Sequence, residues 1–529
     1  MPWRRAGSMW LLFGVIAVVS SVLVLRRPPW ERLSDLHIYY GAAQTVEAAR
    51  PLYEYVAANG GPFTYPPFAM LLLRPMVTLP EAAVQVIWLV GVVAAVAAVA
   101  ATVSGAFPVA PRHRQLVVAA IACAVLVSAP AQSNLRFGQV SMFVVLLALV
   151  DAVGLTPARY RGVLVGVAAA IKLTPLLFVI FFLVSGRHRD AARAVGAFVG
   201  CAVLAAVALP GDSWTYWTGM MLETSRIGNL ASLGNQSVHG MLMRVGVSPE
   251  TLPLLWAVLV ALVCGTALLR ARSLQLDNQP VRAAVLVGCA TVVASPVSWT
   301  HHQVWTVLAA MLLVAAQGAL RRVAGAALLL VMVFSLGALL DDVSTFPGLQ
   351  FLLENARAFG VVAVCLAGFG GIAAVAVGTA RRTAGQRRGW LRAATAVTAT
   401  LACFAVLPLP AGADPTFKAY TVADADNPRY FYFCRDGSGC AAPSSAAAVR
   451  FGVVREKTKV RVNGVVDESV TRLEYRSAPG GAPRVIPLLD LRPGQREFSF
   501  RSANMAHGRL AAYGADGREL ASFTDELNP

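Results

Sequence analysis

The sequence predicts an all-α polytopic membrane protein of about thirteen transmembrane helices, with a small extracytoplasmic β-rich domain at its C-terminal end. Three observations predict it. Mean hydropathy is +0.61 and only 14% of the residues are charged, too apolar for a soluble chain of 529 residues. Apolar runs of bilayer-crossing length recur from Trp10 to Pro410. From Asp414 onward the composition turns polar, and short alternating stretches are separated by "NG", "DG" and "PGG" turns. The expected domains are residues 1–410, which form the membrane part, and residues 411–529, a β-sandwich-like domain.

The first element is an uncleaved span over residues 9–26. "MPWRR" before an apolar run resembles a signal peptide, but "LVLRRPPW" offers no small-residue cleavage site. The remaining spans follow from the Arg clusters. "PRHR" at 111–114, "ARYR" at 158–161, "RHRDAAR" at 187–193, "LRARS" at 269–273, "RR" at 321–322 and "RRTAGQRRGWLR" at 381–392 belong on the cytoplasmic side. Walking between them gives spans near 82–104, 115–130, 139–156, 161–171, 174–185, 193–210, 250–270, 281–296, 302–319, 323–340, 357–380 and 391–410. The N-terminus then lies inside and the tail outside. For "PRHR" to be inside, "YPPFAMLLLRPMVTL" must not cross, so it reads as a re-entrant or interfacial helix, with a short span as the alternative. The formal charge of +17 comes largely from these loops, which argues against nucleic-acid binding.

On this topology the unusual polar residues collect in the outer loops: 31–67, 133–139, 171–175, 212–240 and "SPVSWTHH" at 295–302. Lys172 stands between two apolar pieces, each too short to span alone, at the outer tip of a pair of short helices. Orientation rules do not place a lone Lys there. An anionic partner explains it, and snorkelling is the alternative. Six of the eight cysteines lie in apolar segments as packed small hydrophobes. Cys434 and Cys440 in "CRDGSGC" flank a tight turn, which suggests a disulfide in an oxidising compartment.

The outer groups suit a sugar linked to a polyprenyl phosphate. Lys172 and Arg136 would hold the phosphate by charge-assisted hydrogen bonds, and apolar helices would take the prenyl chain. Tyr39, Tyr65, Gln139, Asn235, Gln236 and Trp299 offer aromatic faces and amides to sugar hydroxyls. Asp35 is the candidate general base for the acceptor hydroxyl; capping a helix is its other reading. Arg136 also suits an interfacial anchor. Asn235 opens a formal N-x-S sequon, but an amide contact or a turn is the stronger reading. His301 and His302 are adjacent, so on a helix they point about 100° apart and poorly suit one metal. No metal and no cofactor is expected.

These motifs come in an order. Asp35 and Tyr39, "FTYPP" at 63–67, "FGQV" at 137–140, "KLTP" at 172–175, "SRIG" with "NQS", and "SPVSWTHH" at 295–302 together resemble glycosyltransferase family 87. Within that family the resemblance is strongest to members that use polyprenol-phosphate-mannose to build phosphatidylinositol mannosides. It runs from about residue 9 to 340, and more loosely to 410. It implies a GT-C fold with the site facing the outer side, Asp35 as the essential carboxylate, and a contribution from one of His301 and His302. The family pattern reads GQ-x-N where this chain has Ser141, and the β-rich tail is not part of the family core. Arabinofuranosyl transfer occurs in the same family, in members that depart from the GQ and His-His patterns kept here. The expected partners are a polyprenyl-phosphate-sugar donor, a glycolipid acceptor and membrane lipids. A lipid-carrier transporter would need internal repeats and midplane ionisable groups, and neither is evident. A non-enzymatic envelope assembly factor is the other rival.

Overall fold

A computed structural model of the chain describes residues 2–28, 31–57, 61–221, 230, 232–248, 250–334, 336 and 347–369. In the tail it describes 420–423, 431–435, 439–441, 444–446, 449–456, 459–477, 481–492, 495–502 and 508–524. The chain divides into two compact units, residues 1–55 with 62–413 and residues 56–61 with 414–529.

The first unit is helical. Its N-terminal part runs α1 (Pro2–Leu25), α2 (Ser34–Glu47), α3 (Pro67–Leu73), α4 (Glu81–Val103), α5 (Arg114–Val127), α6 (Ala129–Phe137) and α7 (Ser141–Ala152). There follow α8 (Val163–Ile171), α9 (Leu176–Val184), α10 (His188–Ala208), α11 (Pro210–Thr215) and α12 (Val238–Arg244). The unit continues with α13 (Leu252–Leu276), α14 (Pro280–Ala294), α15 (Val304–Val314), α16 (Ala319–Val333), α17 (Pro347–Glu354) and α18 (Ala356–Ala367).

Among the described residues, four helices are long and apolar enough to cross a membrane: Arg5–Leu25, Glu81–Ala106, His188–Ala208 and Leu252–Leu276. Counting the bent pair α5–α6 as one span makes five. The other expected spans are shorter helices. The 12 residues of α7, for example, rise roughly 18 Å against a hydrocarbon core of roughly 30 Å. The span expected at 357–380 is described only as far as α18 and the residues just after it. The span expected at 391–410 lies outside the described residues.

Two breaks shape the site. The stretch 133–139, expected as a loop, is mostly helix. Ser128 Oγ accepts from the Ala131 amide at the start of α6, and Pro130 occupies its first turn. Gly138, at φ 67°, ends it in the left-handed region that glycine adopts without cost. The chain bends by 65° between α5 and α6. The second break follows α8, where Lys172 is extended at φ −153° and Pro175 precedes α9. Helices α8 and α9 have nine residues each, as the two short apolar pieces required. The segment after Tyr65 is the short helix α3, extended by a 3-10 stretch at Arg74–Thr78.

The second unit is built of β1 (Tyr420–Ala423), β2 (Phe431–Arg435), β3 (Gly439–Ala441), β4 (Ser444–Ala446), β5 (Val449–Glu456) and β6 (Lys459–Asp467). It continues through β7 (Arg472–Arg476), β8 (Arg484–Ile486), β9 (Leu489–Arg492), β10 (Gln495–Ser502), β11 (Arg509–Tyr513) and β12 (Glu519–Phe523). Sheets ordered β4-β5-β6-β10-β9 and β12-β11-β7-β8 supply one shared core that includes Phe451, Val462, Phe498, Leu473, Leu510 and Phe523. Phe451 meets Phe523 edge to face, with ring centroids 4.7 Å apart. Two sheets on one core make a β-sandwich. A third sheet, β1-β2-β3, sets Cys434 directly opposite Cys440; their side chains lie outside the described ones.

Candidate active site

The site begins where α2 meets the end of α6. Leu33, at φ 46°, gives its amide to the Arg136 carbonyl at 3.0 Å, and this sets the start of α2. A Cβ on Gly138 would stand 2.6 Å from the Leu36 Cβ, so only glycine lets the two helices come this close. Asp35 sits in the first turn of α2, beside Gln139 just past the end of α6.

A chain of donors ends on the Asp35 carboxylate. The Tyr39 hydroxyl donates to the Tyr65 hydroxyl at 3.1 Å, which donates to Gln139 Oε1 at 2.9 Å. Gln139 Nε2 then donates to Asp35 Oδ2. Tyr39 and Gln139 are buried, 2% and 4% exposed, while Tyr65 and Asp35 are half-buried. The Tyr53 hydroxyl donates to the Tyr65 carbonyl at 2.8 Å and holds the loop that presents Tyr65.

Lys172 faces this chain from the α8–α9 break. Its Nζ lies 5.2 Å from the centroid of the Tyr65 ring. It donates to Ser141 Oγ at 3.2 Å and meets His302 Nε2 at 2.7 Å. An ammonium can only donate, so His302 Nε2 must be the acceptor. The ring proton is then on Nδ1, which donates to the Val297 carbonyl at 3.2 Å. Among the described residues the third ammonium N–H has no partner.

Asp35 and Lys172 shift each other's proton affinity. Both lie between or at the ends of helices, outside the helices of spanning length. The protein packed around Asp35 pushes its carboxyl well above the ordinary carboxylate range, and the Lys172 charge holds it back. The same desolvation lowers the Lys172 ammonium, against the pull of Asp35. Both groups therefore exchange protons in the neutral range.

His301 and His302 occupy a 3-10 turn, Thr300–His302, with their rings edge to face at 4.4 Å. Asn134 fixes this turn. Its Nδ2 donates to the His301 carbonyl at 3.0 Å, and its Oδ1 accepts from the Met142 amide at 3.2 Å. Arg357 Nη1 reaches Thr300 Oγ1 at 3.4 Å from α18. Asn134, Ser141 and Arg357 were not among the expected site residues. Asn134 had a signal, as a second amide beside Gln139 in "SNLRFGQ", whereas Arg357 fell at the start of an expected span.

Three expected ligand contacts are placed otherwise. Asn235 is fully buried, and all four of its amide hydrogen-bonding positions are taken. Nδ2 donates to the Leu230 and Pro296 carbonyls, and Oδ1 accepts from the Ser298 and Ser237 amides. Gln236 donates to the Leu233 and Glu354 carbonyls and accepts from the Ala358 amide. The Asn235 side chain braces the Pro296–Ser298 loop, and the Gln236 side chain joins Leu233 to Glu354 and Ala358 at the α17–α18 junction. Arg136 stacks over its neighbour Phe137 at 5.0 Å, and its Nε is buried without a partner among the described residues. Trp299 is half-buried against Gly234. Among the described residues, no three His, Cys, Asp or Glu side chains gather so as to hold a metal ion.

The family model for glycosyltransferase family 87 matches residues 63–296. That segment contains Tyr65, Gln139 and Lys172 and stops short of Asp35 and the His pair. A Mycobacterium tuberculosis polyprenol-phosphate-mannose-dependent alpha-(1-2)-phosphatidylinositol mannoside mannosyltransferase is 32% identical over 336 residues, 59% of this chain and 77% of that protein. A Mycolicibacterium smegmatis polyprenol-phosphate-mannose-dependent alpha-(1-2)-phosphatidylinositol pentamannoside mannosyltransferase is 30% identical over 319 residues, 58% of this chain and 74% of that one. No solved structure gives a significant match.

Proposed function

This chain belongs to glycosyltransferase family 87, and from that premise we propose that it is an integral-membrane, inverting mannosyltransferase. It moves mannose from a polyprenyl-phosphate donor to a lipid-linked glycan such as a phosphatidylinositol mannoside, on the outer face of the cell membrane. The observation that supports this most is one half-buried cluster in which Asp35, at the end of a donor chain, faces Lys172, whose third ammonium N–H meets no hydrogen-bond acceptor among the described residues. Asp35 takes the proton of the acceptor hydroxyl as its oxygen attacks the anomeric carbon. The bond from that carbon to the phosphate oxygen breaks on the opposite side. The phosphate leaves with the electron pair, and Lys172 stabilises its charge. His302 holds the Lys172 ammonium in place, and the tyrosines and Gln139 orient the carboxylate.

The test is transfer by purified protein offered polyprenyl-phosphate-mannose or polyprenyl-phosphate-arabinose, each with phosphatidylinositol mannoside acceptors. Mannose transfer is expected. Transfer of arabinose alone would move the chain to the arabinan branch. No transfer from either donor would favour a carrier or assembly role.

The topology proposed with this function has about thirteen crossings, a cytoplasmic N-terminus and an extracytoplasmic tail beginning near residue 411. It carries a prediction about Cys434 and Cys440. Residues directly opposed in an antiparallel pair have Cα atoms roughly 4.5–5.5 Å apart, inside the disulfide range. In an oxidising compartment the two should be bridged, and labelled by thiol reagents only after reduction. Labelling of both without reduction would dismiss the bridge. Tail labelling only after permeabilising the cells would reverse the topology.

A further inference from the structure

Lys172 has a long, flexible stem and sits in the extended break after α8, so the place of its ammonium depends on its acceptors. These are Ser141 Oγ and His302 Nε2. They belong to separate elements, the first residue of α7 and the 3-10 turn Thr300–His302. The Asp35 carboxylate stands on a third element, α2, against Gln139. Base and cation keep a fixed separation only if these elements are held in register.

One fully buried side chain in α6 meets their supports. Asn134 Oδ1 accepts from the amide of Met142, the residue after Ser141. Its Nδ2 donates to the carbonyl of His301, the residue before His302, and to the Pro130 carbonyl in its own helix. Its backbone carbonyl accepts from the amide of Gln139, whose side chain reaches Asp35. Each long-range bond thus lands on or beside a residue that holds Lys172 or Asp35. The side chain fits no other way. A carbonyl only accepts and an amide N–H only donates, so a flipped amide would lose the bonds to both Met142 and His301. An apolar side chain of this size would leave that buried amide and that buried carbonyl without partners.

We propose that Asn134 is the positioning residue that sets the Lys172 ammonium in register with the Asp35 carboxylate. This rests on the reading above of Asp35 as base and Lys172 as the phosphate-binding cation. In that reaction the two act on opposite sides of one anomeric carbon, so their separation must match the substrate. A misplacement of about 1 Å can cost on the order of a hundredfold in rate.

The test measures kcat and the pH profile of kcat/KM with the whole protein in nanodiscs and polyprenyl-phosphate-mannose as donor. Asn134→Ala should lower kcat by roughly ten- to a hundred-fold. It should also move the acid limb upward, because an ammonium released from its place lowers the proton affinity of Asp35 less. The other ionisable groups that face the pair, Tyr39 and Tyr65 beside Asp35 and His301 and His302 beside Lys172, stay in the variant. In a Lys172→Met background, Asn134→Ala should move the limb no further. If Asn134→Ala does not fold, Asn134→Ser is carried through the same profiles. Its hydroxyl can still bond the Pro130 carbonyl one turn back, and it is too short to keep the bonds to Met142 and His301. Near-normal transfer, or lost activity with an unmoved limb, would overturn the proposal, as would a further shift in the Lys172→Met background. An unmoved limb and an unchanged donor KM in Lys172→Met alone would strike the functional reading itself, and this proposal with it.

Discussion

Asp35→Asn should lower sugar transfer by about 10²–10⁴-fold while folding and donor binding persist. The swap keeps the size and hydrogen-bonding reach of the side chain and removes only the ability to accept a proton. Were Asp35 a helix cap, Asn would serve about as well. The geometry argues against the cap. The residue before the first turn of α2 is Leu33, which has no side-chain capping bond, and the Asp35 carboxylate instead receives Gln139. Tyr39 and Tyr65 feed the same chain of donors. A carboxyl pushed up to about 7 by desolvation is a stronger base than a solvated one, and it exchanges its proton in the neutral range. The measurements are single-turnover transfer with donor saturating, and donor binding measured separately. Near-normal transfer by the Asn variant would remove Asp35 from the chemistry. A parallel loss of donor binding would make its role positional.

Much of this site was legible because the chain is so apolar. Against spans of Ala, Val and Leu, Asp35, Lys172, Gln139 and the His pair stand out as groups that need a partner. Their partners were not legible. Lys172 meets His302 across 130 positions, and Asn134 meets the His301 carbonyl across 167. No local pattern encodes contacts of that separation. Polarity alone also misled. "SNLRFGQ" reads as a loop, yet Ser128, Pro130 and Gly138 carry the start and stop signals of α6. Asn235 and Gln236 read as sugar ligands because they are amides in an outer segment. The loop turned at Pro296 and the α17–α18 junction bury carbonyls and amides that need partners, which the Asn235 side chain supplies to the first and the Gln236 side chain to the second. Arg136 has the right charge, but α6 directs it onto Phe137. Helix lengths were only partly legible. Apolar runs show where a chain tolerates lipid and not every helix break: the break after Ile171 was expected from Lys172, and the bend at Ser128 was not.

Lys172→Met should weaken donor use by roughly ten- to a hundred-fold, the expected loss for one charge-assisted contact of about 1.5–3 kcal/mol. It should also move the pH profile. Methionine keeps the unbranched apolar stem, so a Lys that merely snorkels would be replaced with little effect on donor KM. The second effect follows from the coupling of Lys172 to Asp35. In the wild type the ammonium favours the ionised carboxylate and lowers its proton affinity. Without that charge the Asp35 pKa rises further. The base form then becomes populated only at higher pH, and the acid limb of kcat/KM should shift upward. Lys172→Arg retains a positive charge and should leave the limb near its wild-type position. Its larger guanidinium is not expected to reproduce the contacts with both His302 Nε2 and Ser141 Oγ, so donor KM should still rise. Two readouts thus separate two roles of one side chain: donor KM reports the phosphate contact, and the acid limb reports the field at Asp35. An unchanged donor KM together with an unmoved limb in the Met variant would place Lys172 outside the mechanism. A moved limb with an unchanged KM would leave it tuning the base while another group holds the phosphate.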